Sequence, residues 1–167
     1  MNDQLTKSDI DKMTEEVEYR KSVLRHELLE QVKEAKAQGD LSENFEYKAA
    51  KKEKNRNESR IRYLERMIKT AHIIEDDSAD DEIGLNTKVT IYIPEDDEEE
   101  TYKIVTTVRG DVNNGRISNV SPLGKALMGH KVDDTVTVYV DNNISYDVVI
   151  RSIEKVGEEA TDELMRF

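Results

Sequence analysis

The feature that most limits how this chain can fold is the near absence of helix-breaking residues from its first half. No proline precedes Pro94, and Gly39 is the only glycine within residues 1–83. Proline and glycine disfavour a helix interior most, by about 3 and 1 kcal/mol relative to alanine. We therefore expect long helices in this half, interrupted at Gly39.

The apolar residues of this half recur at helical spacing. Within residues 10–35 they fall mostly three, four or seven positions apart, and a second set within residues 61–71 follows the same rule. This period places them on one buried stripe of a helix. Gly39 can adopt the left-handed conformation that ends a helix. The pattern predicts two antiparallel helices, over 8–37 and 41–72, each about 45 Å long at 1.5 Å per residue.

After residue 75 the pattern changes to that of short strands. Residues 76–86 begin with a dense acidic run and are predicted to form a solvated linker. Residues 87–156 alternate β-branched and polar residues in short runs that are separated by turn-forming residues. Residues 157–167 are an acidic tail for which no regular structure is predicted. Strands are predicted over 88–93, 102–108, 136–140 and 146–153.

One short helix is predicted within this second half. Ser121 followed by Pro122 is typical of an N-cap and the first residue of a helix, which would continue to about Met128. The chain is therefore predicted to be an α+β protein. A long antiparallel helical hairpin over residues 1–75 would precede a small, mainly antiparallel β-sheet domain with one short helix.

The distribution of charge separates the second helix from the rest of the chain. The net charge is −12, yet residues 41–72 contain nine basic and five acidic residues. A solvated helix face with ion pairs between neighbouring turns would explain this composition. A local track for a phosphate backbone is the less favoured alternative, since such contacts are made chiefly by Lys and Arg. The acidic balance of the whole chain argues against non-specific nucleic-acid binding.

Few residues have the spacing of catalytic or metal-binding motifs. The sequence contains no cysteine, and its three histidines lie far apart. It contains neither a HExxH motif, nor a Gly-x-Ser-x-Gly turn, nor a phosphate-binding glycine loop. These observations give no support to an autonomous nucleophilic or nucleotide-dependent enzyme.

One pair of carboxylates remains, Asp40 and Glu43 at the predicted turn. Residues three apart share a helix face, and carboxylate oxygens are ligands that Mg²⁺ prefers. The same Asp-x-x-Glu pattern is also how a helix caps its own N-terminus, and spacing alone favours the cap. Two carboxylates cannot complete the octahedral shell of Mg²⁺. An ion held here would therefore have to be shared with a partner.

Three blocks of the sequence together are specific enough to suggest a family. The first two are GDLSENFEYKAAKKEKNRNESRIRYLE and LTKSDIDKMTEEVEYRKSVLRHELLEQVKEAKAQ. They resemble the tip with the second helix, and the first helix, of the bacterial GreA/GreB transcript cleavage factors. ISNVSPLGKALMGHKVDDT, residues 117–135, is similar to the signature of the C-terminal domain. The resemblance covers about residues 5–156.

This resemblance implies a coiled coil with its acidic tip at residues 39–44, followed by an FKBP-like domain. The C-terminal domain would dock at the rim of the secondary channel of bacterial RNA polymerase, and the coiled coil would reach the active centre. At the matching positions Asp40 and Glu43 would help to hold a second Mg²⁺ and to position water. Polymerase would then cleave the 3′ end of its own backtracked RNA. The factor would have no cofactor of its own, since Mg²⁺ is shared with polymerase.

The resemblance implies roles for further residues. A basic patch that contacts the extruded RNA would comprise Lys48, Lys51, Lys52 and Arg56. Support of the tip would come from Gly39, Leu41, Asn44 and Tyr47. The C-terminal signature Ser121, Pro122, Leu123 and Gly124 would order the short helix. Prolyl isomerase activity is not expected, because this half has no tryptophan and its only phenylalanine is Phe167.

Phe45 departs from the family, which usually has a small alanine at this position. Our first hypothesis is a factor that stimulates cleavage. The alternative is a secondary-channel regulator that inhibits polymerase. A chaperone-like coiled coil ranks last, because its tip should be apolar.

No apolar run is long enough to span a membrane. We expect a cytoplasmic monomer.

Overall fold

The computed structural model of the chain describes residues 3–39 and 44–166. These residues divide into two compact units. The helical unit contains residues 7–72, and the sheet unit contains residues 73–166 together with residues 4–6. No helix in the described ranges has the length and apolar character needed to cross a membrane.

The helical unit is the predicted antiparallel hairpin. Its first arm consists of α1 (Lys7–Tyr19), one π-helical segment (Arg20–Leu24) and α2 (Arg25–Lys36), and its second arm is α3 (Phe45–Thr70). The predicted periodicity is confirmed by the side chains that the two arms bury against each other. These are Met13, Val17, Leu28 and Ala35 from the first arm and Ile61, Leu64 and Met67 from the second.

The second helix was predicted to begin at residue 41, which lies outside the described residues, but Asn44 is not helical. The helix begins at Phe45, after Asn44, whose extended backbone (φ −83°, ψ 97°) stands at the N-cap position. Asn is one of the preferred N-cap residues, which explains a helix start directly after Asn44.

A polar layer interrupts the apolar interior of the hairpin. Glu16 accepts hydrogen bonds from Arg20 at 2.7 Å and from Arg60 at 2.8 Å. Asn57, only 2% exposed, accepts from Arg20 Nη1 at 2.8 Å and donates to the Arg20 carbonyl at 3.3 Å. That carbonyl also accepts from the Arg25 N–H, five residues on, as in a π-helix. The layer gives the two arms a fixed register, because a slip would leave buried charges unpaired.

The sheet unit is built mainly from short strands. These are β1 (Gln4–Leu5), β2 (His72–Ile73), β3 (Thr87–Ile93), β4 (Glu98–Val105), β5 (Arg116–Ser118), β6 (Thr135–Tyr139) and β7 (Ser145–Lys155). Five of them form one sheet in the order β5-β4-β3-β7-β6, and β1 and β2 form a separate pair. Neighbouring strands of the sheet run antiparallel except β4 and β5, which are parallel, so the sheet is mixed. The α-helix of this unit, α4, is Pro122–Leu127.

The second predicted strand, 102–108, is misplaced, and β5 was not predicted. The β3–β4 turn ends at Asp97, which has φ +50°, so the acids from Glu98 to Glu100 lie within β4. The strand stops at Val105, and residues Thr107–Arg109 form a 3-10 turn. β5 has only three residues, and its partner β4 is too distant in sequence for local patterning to reveal.

The predicted linker, 76–86, is solvated only in its first part. Ile83 and Leu85 are buried, and the Ile83 N–H donates to the His130 carbonyl at 2.9 Å. Ile83 belongs to the same core as Val89, Ile91, Leu127 and Ile150. Its apolar side chain explains why the acidic run gives way to packed structure at this point.

The acidic tail is also packed, contrary to the prediction of no structure after residue 157. Asp162 is 3% exposed, and its carboxylate accepts from Lys103 Nζ and from the Glu159 N–H, the latter at 3.0 Å. Its backbone carbonyl accepts from Arg109 Nη1. Three acids of the tail thus balance buried cations of the sheet unit, since Glu158 and Glu159 also pair with Arg109 and Lys103.

Candidate functional site

The turn between the two arms is where the sequence places its acidic pair. Asp40, Leu41 and Glu43 lie outside the described residues, so their predicted roles remain predictions. The residue before them, Gly39, has φ +127°. This conformation strains any residue with a side chain, which explains why the one glycine of this half stands at the end of the first arm.

Asn44 joins the two arms at this end of the hairpin. Its Oδ1 accepts from the Tyr47 N–H at 3.0 Å and caps α3, while its Nδ2 donates to the Ala35 carbonyl of α2 at 2.7 Å. Ala35 is buried in the hairpin. One amide therefore satisfies an unpaired donor of one helix and holds the end of the other against it, while its role in supporting the tip stays a prediction.

Substitution of Asn44 should separate these two contributions. Asn44→Ser keeps a capping oxygen but cannot reach the Ala35 carbonyl, and should lower the free energy of unfolding by about 1 kcal/mol. Asn44→Ala loses the cap as well and should cost about 2 kcal/mol in total. Urea unfolding followed by the helical circular dichroism signal measures both. A serine variant as stable as the wild type would show that the bond to α2 contributes nothing.

Phe45 is the first residue of α3 and does not pack between the arms. Its side chain is 81% exposed. The Lys48 ammonium lies 5.8 Å from the ring centroid, within the range of a cation–π interaction. The neighbouring predicted support residue, Tyr47, is half-buried and contributes the backbone N–H that Asn44 caps.

The predicted RNA-contacting residues all lie on exposed turns of α3. Lys48, Lys51, Lys52 and Arg56 are exposed, and their spacing turns them away from the buried face that carries Ile61 and Leu64. Arg56 is ion-paired with Glu53 at 3.4 Å. The same exposed face continues along the helix to three cations to which the sequence assigned no role. We call the set Lys48, Lys51, Lys52, Arg62, Arg66 and Lys69 the basic stripe.

Two acids of α3, Glu58 and Glu65, are paired with cations of the first arm. Glu58 forms a bidentate pair with Arg25 of the first arm at 2.8 and 2.9 Å, and Glu65 pairs with Lys21. The hydrogen bonds from Arg25 hold the pKa of Glu58 below its usual value. Within the part of the chain that the structure describes, no carboxylate is ion-paired with a residue of the basic stripe. Ion pairing within the helix therefore explains the presence of Arg56 but not the cations of the basic stripe. The basic stripe stays available to external phosphates.

The residues of the C-terminal signature lie at the start of α4. Ser121 Oγ accepts from the Gly124 N–H at 3.1 Å and donates to the Ser118 carbonyl at 2.6 Å, and Pro122 follows as the first helical residue. A Cβ on Gly124 would lie 2.0 Å from the Ser118 carbonyl oxygen. Only glycine fits there, so the motif fixes α4 against the strand β5.

No group of three or more histidines and acids capable of holding a metal ion occurs among residues 3–39 and 44–166.

Comparison with known families agrees with this arrangement of a hairpin and a sheet unit. The family model described as "Transcription elongation factor, N-terminal" matches residues 3–73, and "Transcription elongation factor, GreA/GreB, C-term" matches residues 78–155. The chain belongs to the GreA/GreB family. Within that family the helical unit corresponds to the first model and most of the sheet unit to the second.

Individual members of the GreA/GreB family match most of the chain. Transcription elongation factor GreA of Bacillus subtilis is 47% identical over 127 residues, which cover 76% of this chain and 81% of that protein. GreA of Streptococcus pneumoniae serotype 19F is 43% identical over 154 residues, covering 92% and 96%. The solved structure of GreA factor homolog 1 (Gfh1) of Thermus thermophilus is 28% identical, with a TM-score of 0.43 and coverage of 92% and 99%.

Proposed function

We propose that this protein enters the secondary channel of bacterial RNA polymerase and stimulates cleavage of the 3′ end of backtracked RNA. The observation that carries the proposal is the hairpin itself, whose two arms are joined by the segment that bears Asp40 and Glu43. At 1.5 Å per residue the 26 residues of α3 span about 39 Å. A slender rod of that length suits delivery of two carboxylates into a deep, narrow site.

Family membership and surface charge support the same function. Named relatives of the chain are transcription elongation factors. The basic stripe begins beside the turn and offers ammonium and guanidinium groups to phosphates, which position a nucleic acid without reading its sequence. The expected substrate is therefore the single-stranded RNA that backtracked polymerase extrudes.

Asp40 and Glu43 would act by adding carboxylate oxygens to a Mg²⁺ site that polymerase completes. Their donor chemistry fits Mg²⁺, but two ligands do not complete its shell. When bound, such an ion supplies charge neutralisation and a water of lowered pKa. The residues of this chain would orient that water, and Lys48, Lys51 and Lys52 would hold the RNA phosphates. The protein would thus be a cofactor of polymerase without an active site of its own, working in the cytoplasm as a monomer.

Inhibition of polymerase from the same position is the second candidate. Phe45 favours it, because an exposed ring next to the acidic segment adds bulk where the family usually has alanine. A regulator of this kind would occupy the channel and slow both elongation and cleavage.

The deciding experiment is RNA release from a purified bacterial elongation complex that has been backtracked on a defined template. Addition of the protein should accelerate release of the 3′ fragment, with a dependence on Mg²⁺, while the protein alone should cut no RNA. Slower cleavage and slower elongation on addition would establish the inhibitor instead. Absence of any binding to polymerase would refute both functions.

A further inference from the structure

An aromatic ring and an ammonium group lie together at the end of α3 that adjoins the acidic segment. Phe45 is 81% exposed, and its ring receives Lys48 Nζ at 5.8 Å. Neither arm covers the ring. The polar contacts that fix this end of the hairpin run through Asn44 to Ala35 and Tyr47. The hairpin is therefore closed without help from the Phe45 side chain, and the ring is left for an external partner.

The chemistry of this surface matches single-stranded nucleic acid. Proteins that bind single strands without sequence preference combine aromatic rings, on which bases stack, with cations that follow the backbone. Here the ring stands at the start of the basic stripe. Lys51 and Lys52 lie one to two turns beyond it and are free of ion pairs with described carboxylates. A purely apolar protein partner would not require cations beside the ring.

We propose that Phe45 is a stacking platform for an unpaired base of the extruded RNA, with Lys48 holding the adjacent phosphate. This inference rests on the proposed function and extends it by assigning a base contact to a factor otherwise equipped for phosphates. The contact is tolerant of sequence, because every base presents a π-face. Phe45 thereby positions the RNA near the acidic segment and takes no part in the chemistry.

The test compares wild type with Phe45→Ala, Phe45→Leu and Phe45→Tyr on backtracked complexes assembled from synthetic RNA. The extruded nucleotides are either intact or abasic. Two quantities are measured: the factor concentration that gives half-maximal cleavage, and the affinity for the complex by competition with labelled wild type. The affinity is also measured for complexes without extruded RNA.

On intact RNA, Phe45→Ala should raise the half-maximal concentration and weaken affinity by about five- to tenfold, the lower range of base–aromatic stacking. The rate at saturation should change less than twofold. Phe45→Leu should resemble Phe45→Ala, because it keeps apolar bulk without a π-face, and Phe45→Tyr should resemble wild type. On abasic RNA, and on complexes without extruded RNA, all four proteins should bind alike.

Three results would overturn the proposal. Equal losses on intact and abasic RNA would mean that the ring contacts polymerase, and rescue by leucine would mean an apolar contact rather than a stack. Wild-type behaviour of Phe45→Ala would mean that the ring has no partner. If wild type binds but does not stimulate cleavage, the proposed function fails, while the affinities for intact and abasic RNA still decide the role of Phe45.

Discussion

Replacement of Asp40 and Glu43 by their amides should reduce stimulated RNA cleavage at least about 100-fold while leaving binding to polymerase intact. Asp40→Asn with Glu43→Gln keeps the size and polarity of both side chains and removes both negative charges. Groups that act on developing charge in an active centre are each worth about 10²–10³ in rate. The measurement is the rate of 3′ fragment release at saturating factor.

The matched control for this pair is Glu46→Gln. Glu46 is an exposed acid in the first turn of α3, so its substitution removes one charge from the same end of the hairpin without touching the proposed site. The Glu46→Gln variant should stimulate RNA cleavage at a rate within twofold of wild type. Competition with labelled wild type shows whether the double variant still binds. A double variant that binds and cleaves normally would refute the role of the two acids.

The helical hairpin could be predicted because its signals are local. Apolar spacing, the lone Gly39 and the absence of proline act within one or two turns, and all three indicate the same two helices. The start of α3 is harder to predict, since Asp40 and Asn44 are both of residue types preferred at N-caps. Sequence alone does not show that the Asn44 side chain also donates to the Ala35 carbonyl. This hydrogen bond links the start of α3 to α2.

The sheet unit was less predictable because its decisive contacts are distant in sequence. β4 and β5 are parallel partners, and such a pair leaves no hairpin signal at a turn. The tail was predicted from its acidity alone, yet Asp162 is matched to Lys103, 59 residues earlier. A dense run of like charges is typical of a solvated segment only when no buried cation lies within reach.

The candidate site was likewise predictable only in part. Charge counting located the basic helix, but only the ion pairs among the described residues show which of its cations are matched by a carboxylate. Arg56 is paired with Glu53, whereas Arg62 and Arg66 continue the basic stripe. The exposure of Phe45 likewise depends on how the arms meet, and its sequence position alone was compatible with packing between the helices.

The second large effect concerns the buried ion cluster of the sheet unit. Asp162→Asn should lower the free energy of unfolding of this unit by about 3 kcal/mol, because loss of one partner leaves buried Lys103 short of a counter-charge. The more exposed Glu159, at 3.6 Å, compensates in part. The matched control is Glu163→Gln in the same tail, whose pair with Arg166 is exposed and should be worth less than about 0.5 kcal/mol.

The pH dependence of this loss identifies the charge as its cause. Burial by itself would raise the pKa of Asp162, but the hydrogen bonds from Lys103 and from the Glu159 N–H outweigh it and hold the pKa below its usual value. A depressed carboxyl pKa stabilises the folded state fully above the unfolded value of about 3.9, and this contribution is lost as the pH falls through the folded pKa. The difference in the free energy of unfolding between wild type and Asp162→Asn, measured by urea unfolding, should therefore be constant from about pH 5 to 8. It should become smaller below about pH 4. A gap that persisted at low pH would mean that the asparagine disturbs packing, and that the tail is not held by its charge.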